Sequence, residues 1–224
     1  MARHRTGGVT LIELLVVLAV IGLLAALLLP ALRKGGSSRM LTCINNLKQI
    51  SLGFTLFADD HDNQFPAQIS TNQGGAKELL QPNGAVEQFV TLSNTLGTPK
   101  ILACYADTNR HRAIRFEELT TSNVSYFINA DAGTATTNQL LVGDDHLISD
   151  TATSSGFMTL QSNSKLRWTD GRHHESGTFK NTLKGHVAFV DGSARRIGDK
   201  ELTDIVGQQV SVTNRLVKSA PPAK

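Results

Sequence analysis

Residues 9–32 read VTLIELLVVLAVIGLLAALLLPAL, 24 residues whose single charge is Glu13. Only Gly22 interrupts the bulky apolar side chains from Leu14 to Leu29. At ~1.5 Å per residue such a helix covers roughly 36 Å, enough for a ~30 Å hydrocarbon core. A helix is the form this requires, because backbone polar groups in lipid must be satisfied within the segment. Three kinds of segment share this pattern. A secretory signal peptide needs a small-residue cleavage site after its apolar run. Here the run passes into Pro30-Ala31-Leu32-Arg33-Lys34, a poor site. A plain single-pass anchor has no use for a carboxylate five residues into its apolar stretch, where an ionised group costs several kcal/mol and is by default paired and functional.

What precedes the run favours a third kind. Met1–Gly8 is short and basic, with Arg3 and Arg5, and a cut after Gly8 would leave a new α-amino group on Val9 as a partner for a carboxylate. Gly8, Val9 and Glu13 in this order resemble the N-terminal signal of type IV prepilins and type II secretion pseudopilins. The resemblance implies that a dedicated prepilin peptidase cuts between Gly8 and Val9 and N-methylates Val9. It also implies that Glu13, at mature position five, directs filament assembly, and that Pro30 falls where many pilins kink. Val9 departs from the pattern, in which Phe or Met is usual. The implied partners are the peptidase, other pilin or pseudopilin subunits and the inner membrane. The implied topology is a single pass with the N-terminus inside, followed by a periplasmic or extracellular filament. Positive-inside counting does not decide this, since Arg3 and Arg5 are opposed by Arg33, Lys34 and Arg39.

Beyond the run, Cys43, Leu47, Ile50, Phe54 and Phe57 recur at steps of 4, 3, 4 and 3, one stripe of an amphipathic helix. Thr42, Asn45, Asn46, Lys48 and Gln49 are placed opposite. The spacing predicts one helix from about Thr10 to Ala58, loosened near Gly35, where glycine costs ~1 kcal/mol against alanine. Strands are expected at Val124–Ile128, Leu140–Gly143, Lys165–Trp168, His186–Val190 and Ala194–Ile197. Asp191-Gly192 lies between the last two, the strongest short hairpin signal. Asp199 is a candidate cap for a helix carrying Leu202, Ile205 and Val206 on one face. Pro66–Thr98 reads as loop with a helical patch near Ala76–Leu80. The expected fold is α+β and pilin-like, a long N-terminal helix packed on a small antiparallel sheet. Its divisions are leader 1–8, transmembrane or filament-core helix 9–32, amphipathic helix 33–60, globular extracytoplasmic domain 61–218 and disordered tail 219–224.

Cys43–Ile50, Phe57–Asp60, Leu102–Asp107 and Leu141–Asp144 resemble a bacterial subfamily of prepilin-like proteins that ends in a His-spacer-Asp-Gly element. Asp191 and Gly192 supply the Asp-Gly. The usual nine-residue spacer would put Asn181 at the histidine position. His174 precedes Asp191 by 16 intervening residues and His186 by four, so His174 is assigned to the element and Ser176–Lys184 to an insertion.

The 22 Lys and Arg against 19 Asp and Glu leave +3, too little for a protein that coats nucleic acid. Apolar residues make up 40% and charged residues 18%, and the hydrophobicity is unevenly spread, densest in the one run, so a wholly cytosolic enzyme does not fit. From Phe116 to Ser164 there is no Lys or Arg, whereas Lys165–Lys218 is net basic; lattice complementarity between subunits and chance both accommodate this. Two cysteines exclude a disulfide-dense scaffold and a four-cysteine zinc site. Export would put Cys43 and Cys104 in an oxidising compartment where they can pair, and Cys43 can equally be packed on its stripe as a small hydrophobe.

No HExxH, GxSxG, CxxC or P-loop occurs, so catalysis is not expected and no cofactor is implied. His173, His174, Asp170 and Asp191 include donors suited to divalent ions. Asp60-His61-Asp62 opens like a calcium loop but lacks glycine at the sixth position and glutamate at the twelfth; some major pseudopilins use calcium. Two functions remain: a filament subunit, or an anchored binding or enzymatic domain that never polymerises. N-terminal sequencing of membrane-extracted protein is expected to begin at Val9, and an intact Met1 or Ala2 would refute the cut.

Overall fold

The computed structural model describes residues 10–32, 35–81, 84–150, 157–160, 164–169, 183–209 and 214–218. The chain divides into two units, Met1–Ser38 and Arg39–Lys224. The expected leader and the expected tail 219–224 lie outside the described residues, as do Arg33 and Lys34 between the first two helices.

The first unit holds α1, Leu11–Leu32. From Leu11 to Leu24 every large apolar side chain is more than half exposed. Among the described residues no helix is long and apolar enough to cross a membrane.

The helix α2, Gly35–Asp59, carries the predicted stripe, and Cys43, Leu47, Ile50, Phe54 and Phe57 are all buried. Asn46 is buried as well, against the expectation that it faces outward, and Ser51 donates from the core to the Phe189 carbonyl at 3.0 Å. The helix ends in a tight turn. The N–H groups of His61 and Asn63 both donate to the Ala58 carbonyl, and Asp62 and Asn63 take left-handed backbone angles of 51° and 58°. Such φ values suit Asn and Asp better than most residues.

Pro66–Thr98 is more helical than its sequence suggests. Three short 3-10 turns, one of them at Lys77–Leu79 within the expected patch, precede α3, Ala85–Thr91, and α4, Ser93–Leu96. Phe89 and Leu92 from this region enter the core, where the Phe54 ring meets those of Phe65 and Phe89 edge to face.

The strands are β1 Tyr126–Asn129, β2 Leu140–Asp144, β3 Leu147–Ser149, β4 Phe157–Leu160, β5 Leu166–Trp168, β6 Lys184–Phe189, β7 Ala194–Gly198 and β8 Asn214–Val217. Six form an antiparallel sheet in the order β4-β8-β1-β2-β6-β7, and β3 pairs with β5 separately. Of these, β3, β4 and β8 have no counterpart in the sequence reading. Alternation along the strands sorts side chains to two faces. Tyr126, Ile128, Val142, Ala188 and Val217 join the core with α2. Phe127, Leu140, Val187, Phe189 and Leu216 join a second core with Trp168 and with Leu202 and Val206 of α5, Asp199–Gln208. The α+β class therefore stands, with α2 on one face of a mostly antiparallel sheet.

The Asp191-Gly192 turn closes β6 onto β7 with Gly192 at φ 80°, and Asp191 Oδ1 accepts the Ser193 N–H at 2.8 Å. Asp199 does not cap α5 as expected. Gly198 holds the cap position, and Asp199, the first helical residue, accepts the Trp168 N–H at 2.9 Å and so ties β5 to the helix. The Trp168 ring lies flat against Gly185, where a Cβ would come within 2.5 Å of it. Gly185→Ala should therefore destabilise the domain by ~1–3 kcal/mol through overpacking. Urea unfolding followed by the fluorescence of Trp168, the single tryptophan, measures this.

Candidate functional site

The described part of the N-terminal signal begins at Thr10, which caps α1. Its carbonyl accepts the Leu14 N–H at 3.2 Å, the first bond of the helix. Its own N–H and hydroxyl donate to Glu13 Oε2 at 2.8 and 2.7 Å, and its hydroxyl oxygen lies 3.4 Å from the Glu13 N–H. This reciprocal arrangement is a capping box, in which a Thr at the cap and a Glu three residues on satisfy donors that the first helical turn leaves unpaired. Glu13 thus sits at the exposed end of an apolar helix with its carboxylate turned back onto the chain. Gly8 and Val9 lie outside the described residues. Pro30 lies within α1, two residues before its end.

A second group of charges lies in the globular unit, and sequence reasoning missed it. Asp107 and Arg110 come from the loop after a 3-10 turn at Pro99–Leu102, and Asp145 and His146 from the turn after β2. Arg110 is buried between the two carboxylates, with Nη2 2.8 Å from Asp145 Oδ2 and Nε 3.7 Å from Asp107 Oδ2. Its Nη1 donates to the Thr121 carbonyl. Asp107 also accepts from the Ser125 hydroxyl at 3.0 Å and from the Asn109 N–H at 3.1 Å. His146 Nδ1 lies 2.8 Å from Asp145 Oδ1. Lys218 reaches the Leu147 carbonyl at 2.7 Å, and burial pushes its ammonium below the usual lysine range despite the opposing charge of Asp145.

Ligand-capable atoms of Asp107, Asp145 and His146 fall within 4.8 Å of one another, a spacing that could hold a metal ion. The chemistry of the set argues otherwise. Arg110 engages both carboxylates and a hydroxyl takes a further position, so a divalent ion would have to displace a buried guanidinium. The arrangement is an ion-pair cluster that fastens a loop to the end of β2. The legible sign of it was Asp144-Asp145-His146, three titratable residues running out of a buried strand.

Asp144 itself turns to the α2 side, where its Oδ2 accepts the His186 N–H at 2.7 Å and lies 3.2 Å from His186 Nδ1. Tyr126 is opposite it across the β1–β2 pair. Burial, and then the charge of Asp144, push the Tyr126 phenol above its usual range. Thus His186 is the described histidine of the Asp191-Gly192 hairpin, and its partner is Asp144. His174, assigned to that element from the sequence, lies outside the described residues with His173 and Asp170. Asp191 and Gly192 form the turn. Asp60-His61-Asp62 is the turn that ends α2: the His61 ring stacks on Phe57 at 3.9 Å, with Nδ1 2.7 Å from the Phe57 carbonyl. Cys43 and Cys104 are joined by a disulfide, with Cα atoms 5.5 Å apart.

Residues 3–29 match the prokaryotic N-terminal methylation motif. This motif covers the basic leader, the expected cut, Glu13 and most of α1, and it agrees with a prepilin-type signal. No curated protein and no solved structure matches the chain.

The cluster has a defined pH response. Burial opposes the Asp145 charge, but His146, Arg110 and Lys218 outweigh it and hold the carboxyl below its ordinary 3.8. Burial likewise opposes the His146 charge, but the bond to Asp145 and the charges of Asp145, Asp107 and Asp144 hold the imidazolium above its ordinary 6.5. The Asp145 contribution to stability is present above 3.8 and lost as pH falls through its folded pKa. The His146 contribution is present below 6.5 and lost as pH rises through its folded pKa. The melting-temperature difference between wild type and His146→Asn should therefore shrink as pH is raised above 6.5. A difference independent of pH would show that His146 carries no proton-linked stability.

Proposed function

We propose that the chain is a structural subunit of a type IV pilus-like or type II secretion pseudopilus filament, cut between Gly8 and Val9 by prepilin peptidase, N-methylated at Val9 and assembled through α1. The observation that carries this reading is the pairing of the methylation motif at residues 3–29 with a helix that is apolar on all sides. A helix apolar all round is normally buried, in lipid or among other helices. A subunit needs both environments in turn: the inner membrane before assembly and the packed centre of a filament afterwards. The 24-residue run 9–32 is long enough in sequence for the first, at roughly 36 Å. The globular unit would then lie on the extracytoplasmic side, in the periplasm or on the cell surface.

Glu13 is the residue on which the two environments differ. In the single chain its carboxylate is served by the Thr10 N–H and hydroxyl, which offsets part of its desolvation. After the cut, Val9 carries a cationic amine at the edge of the same apolar surface. An ion pair between Glu13 of one subunit and Val9 of the next supplies axial register that apolar helix faces lack. Removing one member of a desolvated pair leaves the other buried and uncompensated, the costly case. Glu13→Ala is expected to insert and to be cleaved normally, yet to be absent from sheared filament fractions and to fail to complement secretion. Wild-type-like assembly would reject the polymer and favour an anchored domain.

A further inference from the structure

Between the 3-10 turn at Pro99–Leu102 and β1, residues 103–125 contain no α-helix and no strand, only short 3-10 turns at Phe116–Glu118 and Thr121–Asn123. An excursion of this length without regular structure holds its shape through specific anchors. The anchors form one connected path. Cys104 is bonded to Cys43, the first buried residue of the α2 stripe. The Cys104 N–H donates to Ser125 Oγ at 3.1 Å, and the Ser125 hydroxyl donates to Asp107 at 3.0 Å. Asp107 and Asp145 then hold Arg110. The covalent bond thus fixes the residue whose backbone orients Ser125, and Ser125 in turn orients the carboxylate that meets Arg110. Above this base the excursion displays Tyr105 and Ile114, 55% and 73% exposed, with the Arg112 guanidinium 5.1 Å above the Tyr105 ring.

We propose that the Cys43–Cys104 bond is a redox-operated latch on the 103–125 excursion, closed only after the globular unit has left the cytoplasm, and that the latched form is the assembly-competent one. The location rests on the filament-subunit reading; the latch itself rests on the contacts above. Closing it joins Cys43 Sγ to Cys104 Sγ. The two thiols release two protons and pass two electrons to a disulfide of an extracytoplasmic thiol–disulfide oxidant, which leaves as a dithiol. In the reduced form the Ser125–Asp107–Arg110 path loses its covalent end, and the excursion opens locally while the second core, on the far face of the sheet, stays packed. Local opening of this kind is what differential protease access reads.

The test uses the full chain extracted in mild detergent, with and without a reductant, under limited trypsin digestion. Mass spectrometry follows cleavage after Arg112 and Arg115, and Trp168 emission follows the second core. Reduction is expected to speed both cuts at least tenfold with Trp168 emission unchanged. Cys104→Ser is expected to behave like reduced wild type, and where that variant does not fold, reduced wild type carries the test. Equal cleavage rates would overturn the latch. So would loss of native Trp168 emission on reduction, because the bond would then staple the whole domain. In cells, rapid alkylation should find both cysteines blocked in assembled protein and free in an export-arrested chain. Free thiols in assembled filaments would overturn the proposal. Failure of the subunit reading shows separately, as a mature chain that still begins at Met1.

Discussion

An amphipathic helix can keep its apolar stripe dry only if a surface of matching length is built against it, and that constraint shapes the globular unit. Leu47, Ile50, Phe54 and Phe57 offer α2 roughly 1.5–3 kcal/mol each on full burial. A two-stranded ribbon could not cover four turns of helix. The sheet does so by placing β1, β2 and β6 side by side at its centre, with Tyr126, Ile128, Val142 and Ala188 pointing at the helix. The opposite residues of the same strands then form a second apolar surface, which α5 and the β3–β5 pair cover. Both cores therefore follow from the need to bury one stripe.

The helix of the first unit sets a different problem. The α1 side chains have no favoured face, so a single flat surface could cover only part of them. The chain thus carries two kinds of apolar helix: one whose pattern specifies an intramolecular partner, and one whose pattern leaves the partner to lipid or to other copies. Length alone fits an anchor as well as a subunit, and the Thr10–Glu13 capping box suits the start of either helix.

Elements governed by a local period were legible in the sequence. The α2 stripe, the Asp191-Gly192 hairpin and the strands flanking it were placed within a residue or two, because side-chain alternation and turn chemistry act between neighbours. The strands β3, β4 and β8 were not, being three or four residues long and defined by the strands they pair with rather than by their own composition. Asn46 was read as an outward residue from its polarity, yet it is buried on the core side of α2 near Tyr126, a polar group whose position only the β1 register reveals. The same limit explains the charged cluster. Arg110 and Asp145 are 35 residues apart and meet only because the Cys104–Asn109 loop returns to the end of β2. Likewise only the pairing of β6 with β2 reveals that His186 meets Asp144.

Carboxylates in this chain are repeatedly used to bind backbone N–H groups. Asp107 takes that of Asn109, Asp131 that of Arg215, Asp144 that of His186 and Asp199 that of Trp168. Most of these have a second partner close by: Arg110 for Asp107, the Arg215 guanidinium for Asp131 and the His186 ring for Asp144. A backbone donor positions the carboxylate, and a cation or ring completes it. Glu13 follows the first half of this rule with the Thr10 N–H, and both of its bonds from Thr10 fall on Oε2. No cation of the described residues pairs with it, and along α1 the next side chains are apolar for the rest of the helix. If its completion follows the same rule, the missing cation comes from outside this chain's described surface. On the proposed filament reading, an amine created at Val9 of a neighbouring subunit would supply that charge.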